Sequence, residues 1–441
     1  MPLNIVIVGA GPVGSLLAIM MAKRGSNVTV FEKRTDWRTN TNNYSGRSIN
    51  LALSARGFNA LKMAGLEEKV LGLCIPMTQR AIHDESGKVY YQPYDSFGNS
   101  IKSISRKVIN TFLIEEALSL GVKVHFDAEI EINAKNKSVS SKLIKDFKYD
   151  FLFGCDGVNS KVRQSLNDEK NCSPKMEALQ YGYKELTLLK NDLWVENALH
   201  IWPRKKFMMI ALPNLDNTFT GTLFMPTENE FSFQEASQNV EEFFKVHFND
   251  SLPYIQDLKN QFNNNPVSGL KTVLNPAWYS KELNICLFGD SAHAIVPFYG
   301  QGLNAGFEDV AKFVQSFDEI EGNINLFPFE DFFLKRKINT DAIADLALEN
   351  FVEMRDNVSD ENFRNKKKLE QHLQGLFPEK WIPQYSLVTF SSNVEYSTAQ
   401  KAGVLQSKYL NEIYQKFGNQ LMAKEDYTVF MEKYHQEFSA L

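Results

Sequence analysis

The first chemistry in this chain comes from glycines and carboxylates set at nucleotide-binding spacing. Gly9-Ala10-Gly11-Pro12-Val13-Gly14 fits G-x-G-x-x-G, in which glycine permits a tight turn and a pyrophosphate can approach the N–H groups of a helix start. Glu32 lies about 20 residues on, where a carboxylate can accept bonds from both ribose hydroxyls of an adenosine. A free 2′-hydroxyl is implied, which suits FAD or NAD as the resident cofactor and disfavours NADP. Far downstream, Phe288-Gly289-Asp290 ends an apolar run in a carboxylate able to bond a ribityl hydroxyl. The stretch from Pro297, with Gly300, Gly302 and Asn304, then opens a helix whose N–H groups can serve the pyrimidine edge of a flavin, where negative charge collects on reduction. This second feature separates FAD from NAD.

Other residues suggest a carboxylate clamp. The segment Arg80 to Tyr94 reads as a β-hairpin about Ser86-Gly87, and centring it on Gly87 sets Arg80 opposite Tyr94, where the two could hold one carboxylate. A solvated edge Arg beside a packed Tyr is the plainer alternative. Thr340 can cap a following helix that places Ile343, Ala347, Asn350 and Met354 on one face. An Asn in such a stripe needs a partner, either a backbone group or a ligand. His293 has no carboxylate or second His at ligand spacing, so it is read as packing, and no metal ligand or catalytic acid or base is assigned.

The elements that must position these groups alternate strand and helix at first. Ile5 to Val8, the glycine turn, Ser15 to Lys23 and Val28 to Phe31 make one βαβ unit. Strand-like runs from Leu186 to Pro226, including Phe207 to Leu212 and Thr218 to Met225, join the hairpin in a second, mostly antiparallel sheet. Asn284 to Phe288 returns the chain to the nucleotide-binding part, and from about residue 325 the pattern is helical. The expected class is α/β: a Rossmann-type FAD-binding domain (1–74 with 95–180 and 280–325), an inserted substrate-domain sheet (75–94 with 181–279) and a helical C-terminal region (326–441) closing the substrate site.

A net charge of -5 gives no pull towards polyanions, so nucleic acid is excluded as a partner. No run approaches the roughly 18 apolar residues of a spanning helix, and Met1 leads directly into the first strand without a targeting signal. Cys74, Cys155, Cys172 and Cys286 are widely spaced, which fits a reducing, cytoplasmic setting. A monomer or homodimer is expected.

The nucleotide stretches, with Asp150 to Asp156-Gly157, Ser160 and Arg163 between them, resemble the flavoprotein aromatic hydroxylases related to p-hydroxybenzoate hydroxylase. Longer strings are similar to the kynurenine 3-monooxygenase family: Gly46 to Ser54, Ile75-Pro76-Met77 ahead of Arg80, His200-Ile201-Trp202-Pro203-Arg204, Phe207 to Pro213, and Leu223-Phe224-Met225-Pro226. The likeness runs from Asn4 to about Ser392. It implies NADPH- and O2-dependent hydroxylation of L-kynurenine to 3-hydroxy-L-kynurenine through a flavin hydroperoxide, within tryptophan degradation. FAD would be bound and NADPH transient, since only one G-x-G-x-x-G unit is present.

The resemblance also implies site residues. Arg80, Tyr94, Asn350 and Tyr385 would hold the amino-acid end of the substrate, with Phe298, Tyr299 and Met354 as further contacts. Tyr299 stands where relatives more often carry another ring. Cofactor contacts would be Gly9, Gly11, Val13, Gly14, Glu32, Lys33, Arg34, Ala52, Arg106, Ile130, Asp156, Asp290, Pro297, Gly302, Leu303 and Asn304. A hydroxylase of a substituted kynurenine is the alternative. A flavin halogenase is disfavoured because Trp381-Ile382-Pro383 lacks the first Trp of W-x-W-x-I-P, and a flavin sensor without turnover would have no reason to keep the clamp.

Overall fold

The structure, a computed structural model, describes residues 2–39, 50–95, 97–190, 194–357 and 361–441. Of the string Gly46 to Ser54, residues 46–49 lie outside the described residues. The chain divides into two compact units, one of Met1–Cys74, Ile104–Ala178 and Lys271–Asp341, the other of Ile75–Ser103, Leu179–Leu270 and Ala342–Leu441. Residues 326–341, expected with the C-terminal helices, thus fall in the first unit.

The first unit is built on a six-stranded sheet ordered Tyr279–Ser280, Ile285–Leu287, Phe151–Gly154, Asn4–Val8, Asn27–Phe31 and Lys123–His125. All neighbours are parallel except the Tyr279–Ser280 edge. Its four central strands are rich in Val, Ile, Leu and Phe, as strands buried on both faces must be. The register does the functional work: Val8 pairs with Phe31 on one side and Gly154 on the other, and Gly154 pairs with Leu287. Three motifs remote in sequence therefore leave the sheet at neighbouring carboxyl ends, where open α/β sheets bind ligands. The helix Pro12–Ala22 starts earlier than the Ser15 expected, because Pro12 at its first position lacks only an N–H that would be unpaired anyway. Its Leu16, Leu17, Ile19 and Met20 are fully buried.

A seven-stranded sheet, most of whose residues belong to the second unit, is ordered Ser268–Leu274, Lys175–Leu189, Thr218–Pro226, Phe207–Pro213, Ala198–Arg204, Gln79–His83 and Val89–Pro93. Ala198–Arg204 and Gln79–His83 run parallel, and the neighbouring pairs about them are antiparallel. Trp202, Phe207, Phe219 and Phe244 fill one core beside it, while Trp381, Tyr409, Tyr427 and Tyr434 knit the C-terminal helices.

One expected helix start is corrected. Thr340 does not cap; it lies inside the helix Phe329–Val352, with its hydroxyl bonded back to the Lys337 carbonyl at 3.2 Å. Apolar Phe332 and Phe333 extend the helix backwards past the only local cap signal, so burial overrides it. The helix passes into a π-helical turn at Glu353–Asn357.

Candidate active site

In the second unit, Arg80 meets two tyrosines. Its guanidinium carbon lies 4.6 Å from the Tyr385 ring centroid and 5.7 Å from that of Tyr94. The two phenol rings stack on each other at 5.5 Å and 11°, and Phe390 meets both edge-on. Arg80 is not directly opposite Tyr94 as expected; it pairs with Gln92, and Gln79 with Pro93. The Asp84 carboxylate accepts from the N–H groups of Ser86 and Lys88 and centres the turn one residue earlier than Gly87. Arg80 and Tyr94 are therefore diagonal neighbours on one face, still within reach for long side chains.

Two polar atoms of this group, Arg80 Nε and the Tyr94 hydroxyl, are buried without a hydrogen-bond partner. Such atoms are costly unless a ligand satisfies them. Burial alone would lower the Arg80 pKa, but Tyr385, Tyr94 and Glu353 raise it above the usual value, so the guanidinium stays charged. Tyr94 is raised well above the ordinary phenol range, first by burial and then by Tyr385, with Arg80 opposing, and remains a neutral donor. Buried Asn350 donates to Met354 Sδ at 3.4 Å. Glu353 sits beside Met354 in the π turn, and Lys367 reaches Glu353 at 3.7 Å. Sequence reasoning missed Glu353 and Lys367, which the fold brings to Arg80, and Phe390, which it brings to the two tyrosines.

In the first unit the glycines divide by role. Gly9 has φ of 101°, and a Cβ there would stand 2.5 Å from the Cys155 carbonyl oxygen, while one on Gly14 would strike the Gly9 carbonyl. A Cβ on Gly11 would meet nothing within 4 Å, which leaves an open face at the N-cap of the helix Pro12–Ala22. Glu32 is buried beside it and accepts from Ala10 N–H (2.9 Å), from Arg34 N–H (2.9 Å), and from Arg34 Nε and Nη2 (3.0 and 3.1 Å). Burial acts to raise its pKa, but these bonds lower it, so Glu32 is a carboxylate. Asp156 accepts from Ser160 Oγ and Lys161 N–H at 2.5 and 2.7 Å, and burial, its largest influence, raises its pKa.

Asp290 is exposed immediately after Gly289, whose φ is 61°. Asn304 is wholly structural in its side chain: Oδ1 accepts from Ser54 N–H at 2.9 Å, and Nδ2 donates to the Ala52 and Gly300 carbonyls at 2.8 Å each. Gly302 and Leu303 begin the helix Gly302–Glu319 and are partly exposed, as are Ala52 and Arg106. Lys33 and Pro297 are exposed, Ile130 is buried, and Val13 packs between Gly289 and Gly306. Phe298 and Tyr299 lie buried in the turn Pro297–Tyr299 of this unit.

His293 is a packing residue with a partner the sequence hid. Its Nε2 lies 2.5 Å from Asp309 Oδ2, and its ring stacks on Trp278. Arg336 bonds both Asp309 and Glu308, and Glu308 also binds Arg56 at 2.6 Å, all buried. The signal was available: an acidic pair inside the apolar stretch Ala305 to Ala311 must be compensated if buried. Among the described residues no cluster of His, Cys, Asp and Glu could hold a metal, and no helix is long and apolar enough to cross a membrane.

Comparison with known proteins matches residues 3–320 to the FAD binding domain family. The kynurenine 3-monooxygenase of Cytophaga hutchinsonii is 42% identical over 93% of both chains. That of Myxococcus xanthus is 39% identical over 93% of this chain and 90% of its own, and that of Dictyostelium discoideum 39% over 93% and 92%. These relatives cover more of the chain than the strings quoted above. Among solved structures, 2-methyl-3-hydroxypyridine-5-carboxylic acid oxygenase superposes with a TM-score of 0.67 at 17% identity, over 81% of this chain and 94% of its own. PqsL of P. aeruginosa, in complex with 2-aminobenzoylacetate, gives 0.65 at 14%, over 80% and 99%. At such identities these two speak for the fold alone.

Proposed function

The chain belongs to the kynurenine 3-monooxygenase family of FAD-binding monooxygenases, and from that premise we propose that it hydroxylates L-kynurenine to 3-hydroxy-L-kynurenine with NADPH and O2, using Arg80, Tyr94 and Tyr385 to hold the substrate carboxylate. The observation that carries the clamp is the pair of buried, unsatisfied atoms, Arg80 Nε and the Tyr94 hydroxyl. Both are buried donors without a hydrogen-bond partner, and a carboxylate is the acceptor whose geometry matches the guanidinium fork. The stacked rings of Tyr94 and Tyr385 keep that fork dry and oriented.

FAD, when bound, supplies the acceptor for the NADPH hydride and the means of activating O2. The residues of the first unit fit it: Gly11 leaves room for the pyrophosphate at a helix N-terminus, and exposed Asp290 can accept from the ribityl chain. Ribose hydroxyls at Glu32 would take over the bonds now made by the Arg34 side chain. Leu303 and Gly302 offer backbone N–H groups at the start of their helix. No residue is assigned proton transfer at the reacting carbon.

The free cysteines suit a reducing cytoplasm, and the working unit is taken as a monomer or homodimer. The test is NADPH consumption on adding kynurenine, with the product mass measured. Gain of one oxygen on kynurenine is expected; absence of kynurenine-stimulated NADPH oxidation by flavin-loaded protein overturns the proposal.

A further inference from the structure

The string His200-Ile201-Trp202-Pro203-Arg204 takes no part in the clamp, yet three of its side chains converge on a buried cluster around the strand that carries Arg80. His83, on that strand, has Nδ1 2.6 Å from Asp250 Oδ2 and Nε2 2.9 Å from His200 Nδ1. His200 Nε2 is in turn 2.9 Å from the Val195 carbonyl oxygen. Both imidazoles are fully buried. Trp202 donates through Nε1 to both Asp250 oxygens at 3.0 Å and stacks on His83 with centroids 4.1 Å apart. Arg204 donates to the carbonyls of His83, His247 and Asp84.

Each of the three contacts along Asp250, His83, His200 and Val195 needs one hydrogen. A carbonyl only accepts, so His200 Nε2 carries the first. Burial would raise the Asp250 pKa, but His83, Trp202 and Arg204 lower it, so it faces His83 as a carboxylate and His83 Nδ1 carries the second. The third lies between His83 Nε2 and His200 Nδ1. Two neutral imidazoles hold two ring hydrogens, so the third makes the pair a single cation. Burial is the main reason that the His200 pKa falls to about 4, and His83 is the ring in direct contact with the Asp250 carboxylate. The other charged or titratable groups around the cluster are Arg204, Asp84, Glu85 and His247.

We propose that the His83–His200 pair holds three ring hydrogens against the Asp250 carboxylate, and that His83, Asp250, His200 and Trp202 are positioning residues that set the strand Gln79–His83, and with it Arg80, for the substrate carboxylate. The sheet register supports this coupling, since Leu199 pairs with Arg80 and His200 with Ala81. A buried ion pair contributes little net stability against apolar substitutes, so orientation is the better account of its presence. The role at Arg80 rests on the function proposed above; the hydrogen count of the His83–His200 pair does not.

The test uses flavin-loaded full-length protein labelled with 15N at its seven histidines. The His83–His200 pair should show three protonated ring nitrogens, with signals assigned through His83→Gln and Asp250→Asn. Only two protonated ring nitrogens, one on each ring, overturn the hydrogen count. Both variants should raise KM for kynurenine about 3- to 10-fold with kcat within about two-fold, and an unchanged KM overturns the positioning role. If His83→Gln does not fold, Asp250→Asn and the wild-type spectrum decide. Arg80→Ala separates the two readings: an unchanged KM there, beside three protonated ring nitrogens on the His83–His200 pair, sinks the clamp and leaves the buried network standing.

Discussion

The guanidinium of Arg80 and the ring of Tyr385 stand 4.6 Å apart, although one comes from an edge hairpin and the other from a short C-terminal helix. That contact closes one side of a site in which Arg80 Nε and the Tyr94 hydroxyl have no hydrogen-bond partner. It makes Arg80 the residue on which substrate affinity should depend. Arg80→Ala should lower kcat/KM by roughly 30- to 1000-fold, about 2–4 kcal/mol for a charge-assisted fork lost from a dry pocket. Arg80→Lys should recover little, because an ammonium lacks the fork. Flavin content, read from the visible spectrum, should not change. Decarboxylated kynurenine is the control: wild type should reject it strongly and Arg80→Ala hardly at all, and equal discrimination by both would show that Arg80 does not see the carboxylate.

Tyr94→Phe should separate binding from stability. The hydroxyl is buried without a partner in the ligand-free protein, so its removal should leave the melting temperature equal or slightly higher. Kynurenine affinity should fall by about 0.5–1.5 kcal/mol, one neutral hydrogen bond. A clear loss of stability with unchanged affinity would contradict the assignment.

Gly11 and Gly14 should behave oppositely on substitution by Ala. Gly11→Ala has free space around its Cβ, so the flavin-free protein should keep its stability within about 1 kcal/mol while flavin retention after gel filtration drops. Gly14→Ala drives its methyl into the Gly9 carbonyl and should cost about 1–3 kcal/mol whether or not flavin is present. Equal flavin affinity in Gly11→Ala and wild type would remove the pyrophosphate from that face.

Glu308 gives a pH prediction. Burial works to raise its pKa, but Arg336 and Arg56 hold it below the usual carboxylate value. A depressed folded pKa means that the stability it contributes is present above the unfolded value of about 4.3 and is lost as pH falls through the folded one. Glu308→Gln should therefore cost about 3–5 kcal/mol near pH 7, with the gap to wild type closing as pH drops below about 4. Urea midpoints at several pH values would show it, and a gap independent of pH would refute it.

The nucleotide site was legible in the sequence because its parts are local. A strand, a glycine turn and a helix start declare themselves within a few residues of Gly9, of Asp156 and of Asp290, and parallel register then requires only that the strands be neighbours. Arg80 and Tyr94 were legible as partners because both lie on one hairpin, but not their offset, which the Asp84 carboxylate decides by where it closes the turn. The helix through Thr340 was misread at its start because burial of Phe332 and Phe333 outweighs a cap signal. Only the tertiary structure decided that Tyr385 stacks on Tyr94, that Asp309 holds His293, and that His83 lies between His200 and Asp250. Those contacts join residues far apart in the chain with no period linking them. A side chain's type shows that it needs a partner once buried, but which partner it finds depends on how the sheets and helices pack.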